Sequence, residues 1–189
     1  MVKPWTHLAS TEVADHGFFR VSRDRARSPR TGAELDFTVV HMVDWLQVIP
    51  VTTDGRLVLV RQYRHGSRRV GLEFPGGLYE PDDANPGSGA MRECLEETGY
   101  AGGELRPLGT LSPQSALFSN RVHVFLAEPV TRRAAITQDA GEDLEVVLAA
   151  PSELARLVET GEIENTLTLA VLALARLRDA LAPLDPDRG

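Results

Sequence analysis

Along the first third of the chain, apolar positions alternate or run together in short blocks, a strand signature with no helical period. Residues 18–21 read as a short strand, 28–32 as a turn and 35–43 as a longer strand. Residues 45–51 and 57–61 flank Thr53-Asp54-Gly55, and an Asp-Gly pair between β-branched apolar runs signals a hairpin. The stretch 71–89 is rich in Gly, Pro and Asp and reads as loop, apart from a strand at 72–74. The spacing then becomes helical: Ser88 is placed to cap a helix beginning near Gly89, and Gly99 to stop it. Strands are predicted at 108–111 and 121–127 around a loop at 112–120, and an acidic loop at 139–145 runs into a strand at 146–148. A helix at 152–159 ends at Thr160-Gly161. A last helix at 165–181 carries Leu167, Val171, Leu174, Leu177 and Leu181 at core-facing spacing, with Pro183 beyond it.

With 189 residues, the chain has room for one domain and a small added lobe. Its 42% hydrophobic and 25% charged residues exclude global disorder. The net charge of -7, with Lys3 the only lysine, argues against binding a nucleic-acid backbone, which needs basic groups on the phosphates. A nucleotide substrate stays open, because a bound dication reverses the local sign. Arg20, Arg23, Arg25, Arg27 and Arg30 around the first turn read as a solvated strand face. Cys94 is the only cysteine, so no internal disulfide forms and a reducing, cytoplasmic setting is expected. Residues 1–10 lack the apolar run of a signal peptide, and the most apolar stretch, 167–175, is far short of the ~20 residues a membrane helix needs.

Residues 91–99 hold the chemistry. At helical spacing Met91, Cys94, Leu95 and Thr98 form one stripe, Glu93, Glu96 and Glu97 lie opposite, and Arg92 sits beside Glu96. Carboxylates one turn apart repel unless a cation lies among them. Upstream, Pro75-Gly76-Gly77 permits close backbone approach and frees a carbonyl from strand pairing, while Glu80, Asp82 and Asp83 add carboxylates. A hard dication takes such oxygen ligands and shares a substrate phosphate. These residues therefore indicate a divalent-metal site acting on phosphates.

Residues 77–100 resemble the Nudix box: Gly, five spacers, Glu, seven spacers, then Arg-Glu-U-x-Glu-Glu-x-Gly-U, with U a bulky apolar residue. The second half matches as Arg92-Glu93-Cys94-Leu95-Glu96-Glu97-Thr98-Gly99-Tyr100. The first half departs twice, with Asp83 in place of the early Glu and eight residues rather than seven before Arg92. Residues 60–64 and 72–77 are similar to the ADP-ribose pyrophosphatase branch of that family. The resemblance implies an α/β fold: a Nudix α/β/α sandwich with a mixed β-sheet and an N-terminal β-strand extension. It divides the chain into 1–44, a strand region that forms part of a homodimer interface, 45–184, the Nudix domain, and a disordered tail at 185–189.

By position, the resemblance implies that Glu93 and Glu97 bind metal directly, Glu96 directly or through water, and Gly76 through its carbonyl. The ion is expected to be Mg²⁺, with Mn²⁺ as a substitute. Arg92 resembles the arginine that orients the glutamates, and Glu142 the water-activating carboxylate, with Asp143, Glu145 or a box glutamate as alternatives. Arg64 matches a phosphate-binding arginine; Arg61, Glu73 and Pro113 are further substrate-binding candidates. Cys94, His41 and His123 are read as structural, and no histidine sits at a spacing that demands a ligand or base role. The implied reaction is hydrolysis of a nucleoside diphosphate linked to another group, ADP-ribose first, giving AMP and ribose 5-phosphate. Another nucleoside diphosphate sugar, a dinucleotide, or a non-catalytic nucleotide-binding module are the alternatives.

Overall fold

The computed structural model describes residues 1–137, 141 and 143–181. They fall into two units, Met1–Asp44 with Ser112–Arg121, and Trp45–Leu111 with the chain from Val122 onward.

The first unit is an antiparallel meander of β1 (Thr6–Asp15), β2 (Phe19–Arg27) and β3 (Glu34–Met42). The β2–β3 register runs unbroken from Phe19 opposite Met42 to Arg27 opposite Glu34. Every second residue of β2 therefore faces one side, where Arg25 meets Asp36 at 2.9 Å and Arg27 meets Glu34 at 2.8 Å. These solvated pairs match the exposed arginine face expected from the sequence. On the other side, Ser10 and Ser22 each donate to Asp24 Oδ1 at 2.7 Å, and these bonds hold the Asp24 carboxyl below its usual range. Period alone gives no strand at β1, because nearly every residue in it is exposed and no apolar alternation marks it. Residues 112–121 attach to β3 through Val40 N–H to the Leu117 carbonyl (2.8 Å) and Ser119 N–H to the Val40 carbonyl (3.0 Å).

The second unit is a seven-stranded mixed sheet. It contains β4 (Trp45–Thr52), β5 (Leu57–Arg64), β6 (Arg69–Glu73), β7 (Tyr100–Ala101), β8 (Glu104–Leu111), β9 (Val122–Arg132) and β10 (Leu144–Ala149). Its main order is β10-β5-β4-β9-β7, with β6 added on β5 and β8 on β9. The β4–β9 pairing is parallel and the others antiparallel. Strands buried on both faces need apolar residues at both parities. In β4 and β5, Ile49, Leu57 and Leu59 enter one core with Leu154, Leu157, Ile163 and Val171. Leu46, Val48 and Val58 enter the other with Ala90 and Cys94. The helices α2 (Leu154–Glu159) and α3 (Thr166–Leu177) thus cover one face and α1 (Pro86–Thr98) the other, giving the expected α/β/α sandwich. No described helix is long and apolar enough to cross a membrane.

Three helix readings change. First, α1 begins at Pro86, not near Gly89: Asn85 is the cap and Ser88 the third helical residue, the two exchanging 3.0 Å bonds in a capping box. Gly87 and Gly89 weaken the helical signal there, yet a β-carbon at Gly89 would strike the Asp83 carboxylate and Leu46, so close packing requires the glycine. Second, α3 ends at Leu177 and buries Thr168, Val171, Leu172 and Ala175. Leu177, predicted as core, is 83% exposed because the buried stripe is rotated away from it. Third, Glu97 lies on the buried side of α1, only 4% exposed, while Leu95 is half-buried.

Candidate active site

Beyond β6 the chain runs alongside β4 as an irregular added segment. Val48 N–H donates to the Pro75 carbonyl at 3.1 Å and Leu46 N–H to the Gly77 carbonyl at 2.8 Å. In extended backbone, alternate residues turn their polar groups to opposite sides. Gly76, between them, faces away from β4, and its N–H donates to Glu97 Oε2 at 2.9 Å. A β-carbon on Gly76 would strike the Leu46 carbonyl, and one on Gly77 the Glu93 carboxylate, so each glycine permits a specific close approach.

Arg92 is the hub of the acidic cluster. Its Nη1 donates to Glu93 Oε1 at 2.9 Å and to Glu96 Oε2 at 3.1 Å. Its Nε and Nη2 grip both oxygens of Asp83, each at 3.0 Å. These contacts, the Asp83 bonds first, raise the guanidinium pKa further, so the charge is permanent. Arg92 in turn holds the Asp83 carboxyl below its ordinary value. Burial pushes the Glu93 carboxyl up, with Arg92 pulling against it. Burial likewise pushes the Cys94 thiol up to about 12, which fits a core role.

Among the described residues, no three His, Cys, Asp or Glu side chains converge on a ready cation site. Arg92 draws Glu93 and Glu96 to itself, and Glu97 is turned to the Gly76 N–H. The donor chemistry nonetheless fits a hard dication: the carboxylates of Glu93, Glu96 and Glu97 and the Gly76 carbonyl are all oxygen donors, and Gly77 leaves room for the Glu93 carboxylate. Burial disfavours charge on Glu93, and a cation would relieve that.

The family model described as NUDIX domain matches residues 43–170. The chain belongs to the Nudix family. An ADP-ribose pyrophosphatase of Bacillus subtilis (strain 168) is 30% identical over 135 residues, 71% of this chain and 72% of that protein. An ADP-ribose pyrophosphatase of Mycobacterium tuberculosis (strain ATCC 25618 / H37Rv) is 29% identical over 187 residues, 95% of this chain and 89% of that one. A crystal structure of an ADP compounds hydrolase shares the fold, with a TM-score of 0.81 at 22% identity, covering 94% of this chain and 95% of the other. Family, fold and enzyme class thus agree with the sequence reading: this is a Nudix hydrolase.

The other candidates of this Nudix protein are less concentrated. Arg64 grips Glu73 through Nε at 3.1 Å and Nη2 at 2.8 Å, and the Glu73 carboxylate is buried while Arg64 stays half exposed. The pair therefore stands as one unit, with Arg64 its accessible end. Arg61 bridges Glu145 of β10 at 2.9 Å and Glu162 at 3.4 Å, so it clamps the sheet edge as well as being a substrate candidate. Glu145, an alternative general base, is engaged by that clamp. Pro113 belongs to residues 112–121 of the first unit. Glu142 and the tail 185–189 lie outside the described residues. The sequence did not reveal the direct Asp83–Arg92 ion pair, nor buried Gln47, whose amide a Gly76 β-carbon would also strike. Asp83, nine positions before Arg92 on the loop entering the same helix, was the available signal for the ion pair.

Proposed function

We propose that this protein hydrolyses the pyrophosphate linkage of ADP-ribose, releasing AMP and ribose 5-phosphate in a Mg²⁺-dependent reaction. One arrangement carries the reading: Gly76 bonded to Glu97, beside Glu93 and Glu96 bonded to Arg92. The names of the relatives from Bacillus subtilis and Mycobacterium tuberculosis support the substrate. The ion would be held by Glu93, Glu96, Glu97 and the Gly76 carbonyl. When bound, a divalent cation offsets phosphate charge and lowers the pKa of its water. Arg92 fixes the orientation of Glu93 and Glu96, and Glu142 takes the proton from the attacking water, help worth ~100- to 10,000-fold. Arg64, set by Glu73, faces a substrate phosphate, with Arg61 and Pro113 as further substrate contacts.

We also assign a homodimer to the protein. Trp5 and Phe37 meet edge to face at 5.3 Å, and both remain exposed together with Leu8 and Leu35, an apolar surface that a second copy would cover. A single buried cysteine suits a reducing cytoplasm. The test is product analysis after incubation with ADP-ribose, with and without Mg²⁺. AMP and ribose 5-phosphate appearing only with the metal support the reading; another diphosphate cleaved in preference replaces the substrate. A monomeric mass by light scattering overturns the dimer.

A further inference from the structure

Gln47 is a polar residue inside the apolar run of β4, between Leu46 and Val48, which have no exposed surface, and it is itself only 6% exposed. Its register partner on β9, Val124, is fully buried as well. Its Oε1 is buried and has no hydrogen-bond partner among the described residues. A buried amide with an orphaned oxygen costs stability that an apolar side chain of the same length would not. Packing alone therefore gives no reason for an amide here. The other end of that amide lies against the Gly76 loop: a β-carbon at Gly76 would come 2.5 Å from Nε2 and 3.1 Å from Cδ. Gly76 in turn donates its N–H to Glu97 Oε2 at 2.9 Å. One glycine thus has a box glutamate on its N–H and an amide donor against its α-carbon.

We propose that Gln47 is a binding residue of the active site, whose Nε2 donates to an oxygen of the bound diphosphate beside Gly76. This rests on the diphosphate-hydrolase reading of the site and adds a neutral donor to it. A diphosphate oxygen accepts hydrogen bonds and offers none, so only a side chain with an N–H or O–H can meet it. A lysine or arginine at this buried position would bring a charge that must be desolvated, and Glu97 would compete for it. The amide supplies an N–H without charge and leaves Glu97 on the Gly76 backbone. Stability and binding then pull in opposite directions at this position. An amide present for packing supports the fold, whereas one present for substrate weakens the fold slightly and tightens binding.

Two variants of the full chain separate these cases: Gln47→Met, the nearest apolar match in length and shape, and Gln47→Leu, which keeps the test open should the first not fold. Three quantities are read: the melting temperature, kcat and KM with ADP-ribose and Mg²⁺, and calorimetric affinity for methylenediphosphonate with Mg²⁺. The last is a diphosphate mimic that carries neither sugar nor base. Folded Gln47→Met should melt at or above the wild-type temperature and lose about tenfold or more in kcat/KM. It should also bind the diphosphonate about tenfold more weakly, the usual scale for a hydrogen bond to a charged group. Wild-type kcat/KM and diphosphonate affinity in either folded variant overturn the proposal. Losses accompanied by a lower melting temperature in both variants also overturn it, because they mark a packing role. A fall in kcat/KM with unchanged diphosphonate affinity moves the contact to the sugar or base and overturns the diphosphate assignment. If the wild type leaves ADP-ribose intact, the substrate reading fails, while the diphosphonate affinities still decide the role of Gln47.

Discussion

Glu97 accepts the Gly76 N–H at 2.9 Å, so the last turn of α1 is tied to a loop 21 residues earlier. The carboxylate thus does two things, satisfying a backbone donor and supplying negative charge, and two substitutions separate them. In Glu97→Gln the amide oxygen still accepts from Gly76, so melting should change little while turnover falls about 100-fold or more. Glu97→Ala orphans the N–H and costs about 1–3 kcal/mol in addition. Melting curves and rates on both variants check this; a folded Glu97→Gln with near-normal rates removes Glu97 from the metal ligands.

The two loop glycines should fail differently. An alanine at Gly76 meets the Leu46 carbonyl, a backbone atom locked in β4, so Gly76→Ala should lower stability by about 1–3 kcal/mol. An alanine at Gly77 meets the end of the Glu93 side chain, which can swing aside. Gly77→Ala is therefore expected to fold nearly as well as wild type and lose about tenfold in kcat. Urea titration beside initial-rate measurement distinguishes them, and equal losses of stability would contradict the assignment.

Glu93 and Asp83 respond to pH with opposite signs. The Glu93 carboxyl titrates above its ordinary value because it is buried, so its ionised form costs stability at neutral pH. That cost is relieved as pH falls through the raised value toward the ordinary one. Asp83 titrates below its ordinary value because Arg92 holds it, so its contribution is complete above the ordinary value and is lost as pH falls through the depressed one. Glu93→Gln should therefore melt a few degrees higher than wild type at pH 7, about 2–4 °C per kcal/mol regained. The advantage should vanish in acid. A Glu93→Gln melting point below wild type at pH 7 would count against the desolvation account.

Cys94 gives an independent check on the packing beneath α1. With its thiol pushed up to about 12 and no exposed surface, it is protonated and sealed at pH 8. An aromatic disulfide reagent should titrate no thiol in the native protein and one equivalent after unfolding. Rapid native reaction would mean that α1 lifts from the sheet.

The sequence carried the box because charge, glycine and helical period coincide within a few turns at 91–99. It misplaced Glu97 because a helical projection groups it with Glu93 and Glu96; the backbone donor that lets this carboxylate be buried belongs to a remote loop. The start of α1 was obscured because Gly87 and Gly89 look like helix breakers until the neighbours that require them are known. β1 left no period because strand pairing, with almost no burial, defines it. Arg61 reads alike whether it meets substrate or a carboxylate, and its partners Glu145 and Glu162 come close only once β10 has joined β5.

Those partners also differ in how far the chain must travel to bring them together. Arg92 reaches Asp83 across 9 positions and Gly76 reaches Glu97 across 21, whereas Arg61 waits for residues 84 and 101 positions away. Closing a loop costs about 0.6 kcal/mol for each doubling of its length, so the Arg61–Glu145 loop costs about 1.2 kcal/mol more than the Gly76–Glu97 loop before any contact offsets it. The acidic cluster is thus the inexpensive closure in this chain and the sheet edge the late one. During refolding, the Gly76 amide should become protected from hydrogen exchange before the amides that stitch β10 to β5.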